Sequence, residues 1–488
     1  MTTTYKQTSW TRPPSINLLY IEKPDGERGD HLAGGFIQFE YFESLLSPFI
    51  TARLRVLDSG YSGRATDKTD IQERKGPVST TLPIAVNDNL EIHLSTATGH
   101  LNFSKQSGYN FIVDRFASSP NVNGKQIVDF RLISKFGLKN RTKKVGKKYQ
   151  NNIRNSLYSI LTNELGIPSS RLNLQETQNS QEFLGSGRTP FNLALYLGPK
   201  SKPLGGAPGF FFYETVNKFN FKAVNTLVNS VAVATYTAKD VATDNSDPKN
   251  NKRILKYRVV KNQDLSAIQD AGVLKSNQVS FNPKDQGVTN NFFDADSPLV
   301  SGEFASLGSE NYVDFSKGIG TSWYENEVDL GVEYASFKDN KTNFSFLDPG
   351  NNSSVKVGVS TSEIFSIVDK ANKACSGIGT HINNDPTFIQ AVSIMRYNSI
   401  FMQVIDMVVP CNLCLVAGSV IKCEFPMMTG DNKSASPNDE YESGNYLILH
   451  LSHKFTQDST KGSLTHLRVV RDTHGLYKSE GSSGTVLV

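Results

Sequence analysis

Along residues 443–471 apolar and polar side chains alternate almost one by one. In SGNYLILHLSHKF, Leu447, Leu449 and Leu451 share one face, and Tyr446, Ile448, His450 and Ser452 the other. A period of two predicts a strand with unlike faces. SLTHLRVVR repeats the pattern, with Leu467 and Val469 opposite Arg468 and Val470. The polar, glycine-bearing segment Gln457–Gly462 between them predicts a hairpin, the last two strands of a sheet or barrel whose other strands lie upstream.

Short alternating or β-rich runs also fill the N-terminal third: Ile16–Ile21, Phe36–Phe42, Ile50–Leu57, Leu90–Leu94, Phe111–Phe116 and Ile127–Ile133. Asp-Gly, Ser-Pro and Asn-Gly turns separate them, so a small antiparallel barrel is expected over 15–135. The period then changes. Ile153, Leu157, Ile160, Leu161 and Leu165 form a helical stripe stopped by Gly166 and Pro168, and Thr189-Pro190 caps a shorter helix reaching Leu197. With a hairpin over Phe210–Ala223 these helices predict an α+β unit at 136–235. Residues 236–253 are a polar linker.

A strand at Ile254–Val260 and a short helix at Leu265–Ala271 follow. Strands expected at Phe388–Met395, Ile400–Val409, Leu413–Val416 and Val420–Phe425 complete, with 254–299, a second barrel over 386–476. Residues 300–385 are read as an insertion, with a strand at Val355–Val359 and a helix at Ser362–Ala374. Residues 1–14 form an extended arm. The 477–488 tail, whose GSSG spacer precedes an apolar Thr485–Val488, suits docking onto another surface, with a loose, frayed end as the equal alternative. The fold class expected is a β-rich α+β protein: two small antiparallel β-barrels, an α+β domain and an insertion.

Composition narrows function mainly by exclusion. With 51 basic and 47 acidic side chains, the net charge of +4 gives no global signal for nucleic acid. Four cysteines in 488 residues do not make a disulfide framework, and they suit a reducing place of assembly. No apolar leader and no membrane-spanning stretch is read, which implies a soluble protein made in the cytoplasm. Cys411, Cys414 and Cys423, with His450 or His453, have partial zinc-ligand spacing, but one CxxC without a second pair is half a signature. Packing as small hydrophobes is the simpler reading of those cysteines. Gly185-Ser186-Gly187 lacks the strand and the full motif of a nucleophile turn. The basic run Lys135–Lys148 holds a single aromatic, Phe136, and so lacks the series of stacking rings that a single-strand groove would want. No phosphate loop or dinucleotide fingerprint occurs. Neither enzyme chemistry nor a cofactor is expected.

Three stretches, in this order, carry a resemblance: FIQFEYFESLLSPFITARLRVLDSG (36–60), GFFFYETVNKFNFKAV (209–224) and SGNYLILHLSHKF…SLTHLRVVRD. They resemble the baseplate hub proteins of contractile-tailed, T-even-type bacteriophages, related to the N-terminal part of VgrG spikes. That resemblance implies a structural protein of the virion tail baseplate, assembled in the host cytoplasm. It implies a homotrimer whose two tube-like barrels per chain make a pseudo-sixfold ring between the hexameric tail tube and the trimeric central spike. Its expected partners are the tube protein, the spike protein and the neighbouring baseplate wedge proteins, with no specific nucleic-acid binding and no membrane-spanning segment. The role is host-envelope penetration and DNA delivery. Because the chain ends about 17 residues after Arg471, the spike is expected to be a separate polypeptide. A β-rich receptor- or carbohydrate-binding tail protein is the alternative, and a cell-wall hydrolase a third class. Clustered exposed Trp or Tyr would mark the binder, but Trp10 and Trp323 are far apart in sequence.

Overall fold

The computed structural model describes residues 13–26, 29–58, 63–65, 71–73, 82, 84–96, 98–120, 125–238, 251–262, 275–282, 287–294, 362–367, 386–427, 438–439, 442–458 and 462–472. The N-terminal strand module contains β1 (Ser15–Glu22), β2 (Gly29–His31), β3 (Phe36–Ser44), β4 (Thr51–Asp58), β5 (Gly63–Ala65), β6 (Ile71–Glu73), β7 (Asn89–Thr96), β8 (Gly99–Phe103), β9 (Phe111–Pro120) and β10 (Gln126–Ser134). An α+β unit follows: α1 (Lys135–Thr142), β11 (Lys148–Tyr149), α2 (Ile153–Ser159), β12 (Leu172–Leu174), β13 (Phe183–Leu184), α3 (Pro190–Leu197), β14 (Phe210–Glu214), β15 (Phe219–Ala223) and α4 (Val224–Val228). The remainder is β16 (Thr235–Thr237), β17 (Lys256–Asn262), β18 (Lys275–Asn282), β19 (Gly287–Asp294), β20 (Ser362–Ile367), α5 (Pro386–Ser399), β21 (Gln403–Pro410), β22 (Val420–Glu424), β23 (Gly444–Thr456) and β24 (Leu464–Arg471).

The expected helices of the α+β unit form for the reasons their sequence suggests. Thr189 Oγ1 accepts the Asn192 amide at 3.4 Å with Pro190 at the first helical position. Ile153, Leu157, Ile160, Leu161 and Leu165 all point into one core with Phe191, Phe212 and Phe219. Ser134 closes β10 and opens α1 by accepting the Gly137 amide.

The two strand-rich regions are not separate closed barrels. They are halves of one 14-stranded, mainly antiparallel sheet in the order β17-β21-β24-β23-β3-β4-β10-β9-β7-β1-β2, with β8, β16 and β22 beside that path. The path stays open among the described strands. The join is β23, which is 13 residues long and bonds β22 near its start, β24 along its middle and β3 at its end. The C-terminal hairpin is therefore the seam of the sheet rather than its last edge.

A strand with neighbours on both edges and a core below leaves little room for an outward face. Tyr446, Leu447, Ile448 and Leu449 are all buried, and a one-residue bulge falls at Leu449. The expectation of two unlike faces, one buried through the leucines and the other, with Tyr446 and Ile448, turned outward, is thus corrected: Ile448 packs in the second core opposite Val469. A bulge shifts the pleat by one residue, which cancels strict alternation.

Three local expectations also change. Residues 388–395 lie in α5, where Ile389, Val392, Met395 and Arg396 are buried at helical spacing. A short apolar run fits either period, and Pro386 at the helix start decides it. Ser362–Ile367 is a strand parallel to β18, so pairing overrides its weak helical stripe. Residues 413–416 form turns, with the Leu415 amide bonded to the Asn412 carbonyl at 3.1 Å. The expected helix at 265–271, the strand at 355–359, and the tail at 477–488 lie outside the described residues. So do residues 1–12 of the arm, residues 239–250 of the expected 236–253 linker and most of the 300–385 insertion; Tyr236 and Thr237, at the start of that linker, instead belong to β16, with Tyr236 buried in the second core.

The placement of β23 has a direct test. Ile448→Thr trades buried hydrocarbon for a hydroxyl and should cost about 2–4 kcal/mol, with Leu449→Asp worse and His450→Thr mild. Urea denaturation of the purified variants gives the comparison. An Ile448→Thr protein as stable as the parent would return residue 448 to the surface.

Candidate functional site

The four strands on each side of the seam are built alike. In the first module β3, β4, β10 and β9 lie side by side, and in the second β17, β21, β24 and β23 do. Each quartet follows the same scheme: two antiparallel strands, then a hairpin whose later strand lies inside. The strand at the outer side of each hairpin carries a one-residue bulge at the same place, Asp114 in β9 and Leu449 in β23. Matching the bulges aligns two cross-strand rows. One reads Glu40–Arg53–Arg131–Arg115 and the other Arg258–Asp406–Arg468–His450.

This repeat is arranged head to tail, and among the described strands it leaves two unlike edges open. β23 bonds β22 near its start and β3 at its end. Its counterpart β9 bonds β7 only at Phe111 and Ile112 and has no described partner beyond. At the far end β17, the counterpart of β3, bonds β21 alone among the described strands. Both open edges are apolar in part, with Phe116 36% exposed on β9 and Val260 45% exposed on β17. An uncovered edge of this kind is a template for another strand.

The face of the double quartet turned away from both cores carries the charged rows Arg53–Arg131–Arg115 and Arg258–Asp406–Arg468. A groove of about 760 Å³ runs along it beside Phe42, Ser44, Arg258, Asp406, His450 and Arg468. Asp406 receives two bonds from Arg468 (2.7 and 2.9 Å) and one from Arg258 (3.2 Å), and these hold its carboxyl below the usual range. Burial keeps His450 and His466 below the ordinary imidazole range. In the first module Arg55 pairs with Asp129 at 2.6 Å.

Two buried carboxylates tie the units together. Glu43 of β3 accepts the Val216 amide of the α+β unit at 2.7 Å and the Ala417 amide of the second module at 3.0 Å. Glu214 of β14 accepts the Ile50 amide at 2.9 Å and the Ser134 hydroxyl at 2.7 Å. Burial pushes Glu43 up to about 8 and Glu214 to about 7, against the opposing pull of those donors. Arg171 anchors the same junction, stacked 3.1 Å from the Tyr109 ring centroid and donating to the Ser107 carbonyl.

The cysteines considered as ligands are dispersed. Cys411 sits in the first core beside His453, with Sγ and Nδ1 3.9 Å apart; Cys423 sits in the second core; Cys414 is exposed. Burial raises the Cys411 thiol to about 12 and lowers His453 to about 4, so both are neutral. Among the described residues no three His, Cys, Asp or Glu side chains gather as a metal would need. Ser186 lies in a turn and donates to the Leu184 carbonyl. In the basic run, Lys139 binds the Leu165 carbonyl and Arg141 pairs with Asp114. The candidate feature that sequence reading missed is the pair of edges left open among the described strands; the structure shows it through matching bulges, which have no residue signature.

No protein-family model matches the chain, and neither does any curated protein. The solved structures it resembles are phage tail proteins and VgrG-related type VI secretion proteins. A tail protein from Neisseria meningitidis MC58 aligns at TM-score 0.49 and 8% identity, covering 93% of this chain and 96% of that one. The 43 kDa tail protein of prophage MuSo2 from Shewanella oneidensis aligns at TM-score 0.48 and 8% identity, over 93% and 99%. An E. coli type VI secretion component described as similar to T4 tail proteins aligns at TM-score 0.37 and 10% identity, over 96% and 79%.

The buried carboxylates make stability depend on pH in a definite direction. In the folded state both hold their protons more tightly than an unfolded carboxyl near 4.5. Their contribution is therefore complete below about pH 4.5 and is lost as pH rises toward 8, at up to about 1.4 kcal/mol per pH unit for each group. The melting temperature should fall between pH 5.5 and 8, and Glu43→Gln should flatten that fall. Calorimetry across that range decides it; a melting temperature that climbs with pH would refute the protonated junction.

Proposed function

We propose that this protein is a structural hub of a contractile phage tail that forms a homotrimeric, pseudo-sixfold ring. The observation that carries the reading is the head-to-tail repeat of two quartets, joined in the chain by the contact that its open edges lack. Repeating the β23–β3 contact between copies would place β9 of one chain beside β17 of the next. The register of the seam would set Ser119 opposite Arg258 and Pro120 opposite Tyr257 of the neighbour. Head-to-tail contacts of one type either close a ring or run on as a filament. Three copies would bring three times eight strands into one wall. At about 4.8 Å per strand and a tilt of about 40°, that wall is on the order of 45 Å across. Such a width encloses an aqueous channel rather than a packed core.

The likeness to tail proteins supports a structural role in the virion. Within this reading the units at 15–135 and at 254–299 with 386–476 are the two tube-like domains, and 136–235 braces them. Residues 300–385 are an insertion, 1–14 and 477–488 peripheral arms, and 236–253 a linker. The ring's two rims face a tail tube and a central spike, with wedge proteins around it, so that DNA is delivered through the middle. Among the described residues no helix is long and apolar enough to cross a membrane.

Cysteine pairing tests the ring. Ser119→Cys with Arg258→Cys in one chain should give covalent trimers on mild oxidation, seen by denaturing electrophoresis, while each single variant gives none. A ladder of ever longer oligomers would mean a filament, and monomers alone would remove the proposed contact. Ser118→Pro, which takes a donor from the same edge, should reduce trimer formation in analytical ultracentrifugation and leave the melting temperature of the monomer unchanged.

A further inference from the structure

We propose that the row Arg53–Arg131–Arg115 contacts the phosphate backbone of double-stranded DNA without regard to base sequence. The three arginines stand directly opposite one another on β4, β10 and β9, and all three are exposed. Like charges placed opposite each other across a sheet repel. The aligned row of the second module has the same position and the opposite solution: Asp406 stands between Arg258 and Arg468 and bonds both. One chain thus holds a neutralised row and an unneutralised one on the same scaffold.

The nearby carboxylates of the first module are engaged elsewhere. Asp129 is bonded to Arg55, Asp114 to Arg141, and Glu40 accepts the Ser452 hydroxyl while lying opposite Lys454 as well as Arg53. Arg53 also lies 5.5 Å from the Phe42 ring centroid. Among the described residues none of Arg53, Arg115 and Arg131 has a carboxylate bond. What remains is a line of guanidinium forks on an open sheet face, a chemistry that matches phosphate oxygens.

A polyanionic partner could be nucleic acid or an acidic protein segment, and the layout favours the first. A peptide needs a recess or a strand edge for purchase. The recess on this face lies over the second module, where charge is already neutralised, and none of the three arginines lines it. A flat row of cations away from any cleft fits the outside of a stiff, uniformly charged rod. The choice of duplex DNA rests on the ring proposed above, which would turn this sheet face and its arginines toward the channel. The anion site itself stands on the monomer.

The test compares Arg53→Gln/Arg115→Gln/Arg131→Gln with Lys143→Gln/Lys144→Gln/Lys147→Gln, which changes the net charge equally on the α+β unit. Binding of a fluorescein-labelled duplex is followed by anisotropy between about 50 and 200 mM salt. The arginine variant should bind at least about tenfold more weakly at low salt. Its slope of log K against log salt should shrink by up to about 2.7, from three contacts at about 0.9 each. The lysine variant should stay within about twofold to threefold of the parent. Equal loss in both variants, or none in the arginine variant, overturns the proposal, as does tighter binding of labelled polyglutamate than of duplex. The arginine variant should melt at the parent temperature or higher, because repulsion has been removed; a lower melting temperature would mark the row as structural. Ultracentrifugation of the same samples separates the two readings: a trimer that ignores DNA removes this proposal alone, and arginine-dependent binding by a protein that never trimerises removes the ring alone.

Discussion

Everything in this molecule hangs on the hydrogen bonds of one strand. β23 is long enough to serve β22, β24 and β3 in turn, so residues 38–44 near the start of the chain are laced to residues 450–456 near its end. A contact of such sequence separation has a large loop-closure cost, which the burial of Tyr446 to Leu449 and the paired backbone must offset. The same join fixes how the two modules repeat and which edges stay open. A hairpin at a sheet's margin would have fixed neither.

The buried carboxylates show a second constraint, the cost of fastening three units through their interiors. Glu43 and Glu214 reach backbone amides that no sheet partner satisfies, at the ends of strands where units meet. Leaving those amides unpaired would cost about 1–3 kcal/mol each. A protonated carboxyl serves them with less desolvation than a charged one, which is why burial raises both groups. The junction gains order at the expense of sensitivity to rising pH. Arg396 and Asp472, fully buried and 3.3 Å apart, fasten α5 to the end of β24 with charges kept in a matched pair.

The aligned arginine rows set the electrostatics of the sheet against the contact proposed for them. The second module spends a carboxylate to quiet its cations; the first leaves three guanidinium groups facing one another. Nothing in the packing of the first module needs that arrangement, since the residues beneath it, Ala52, Leu54, Phe130 and Leu132, are an ordinary apolar core. Residues that oppose the local electrostatics without a packing role are where an external partner is to be sought.

Much of the architecture was legible along the chain. The hairpins 36–58, 210–223 and 443–471, and the capped helices at 153 and 190, follow from period, turns and caps, because these are local contests between a residue and its near neighbours. The helix at 386–399 and the strand at 362–367 were read the wrong way, because short apolar runs fit both periods; Pro386 at the helix start settles the first and pairing with β18 the second. The residues of the proposed anion row were written in the chain too, with Arg53 and Arg131 set between buried apolar neighbours. Their adjacency was not: it depends on the register of three strands and on a bulge at Asp114. The union of two modules into one open sheet was equally hidden, because hydrogen bonding between backbones carries no side-chain signature. The sequence alone determined which segments extend and which coil; only the tertiary structure decided which edges meet, because that choice belongs to the whole chain's packing and not to any window of it.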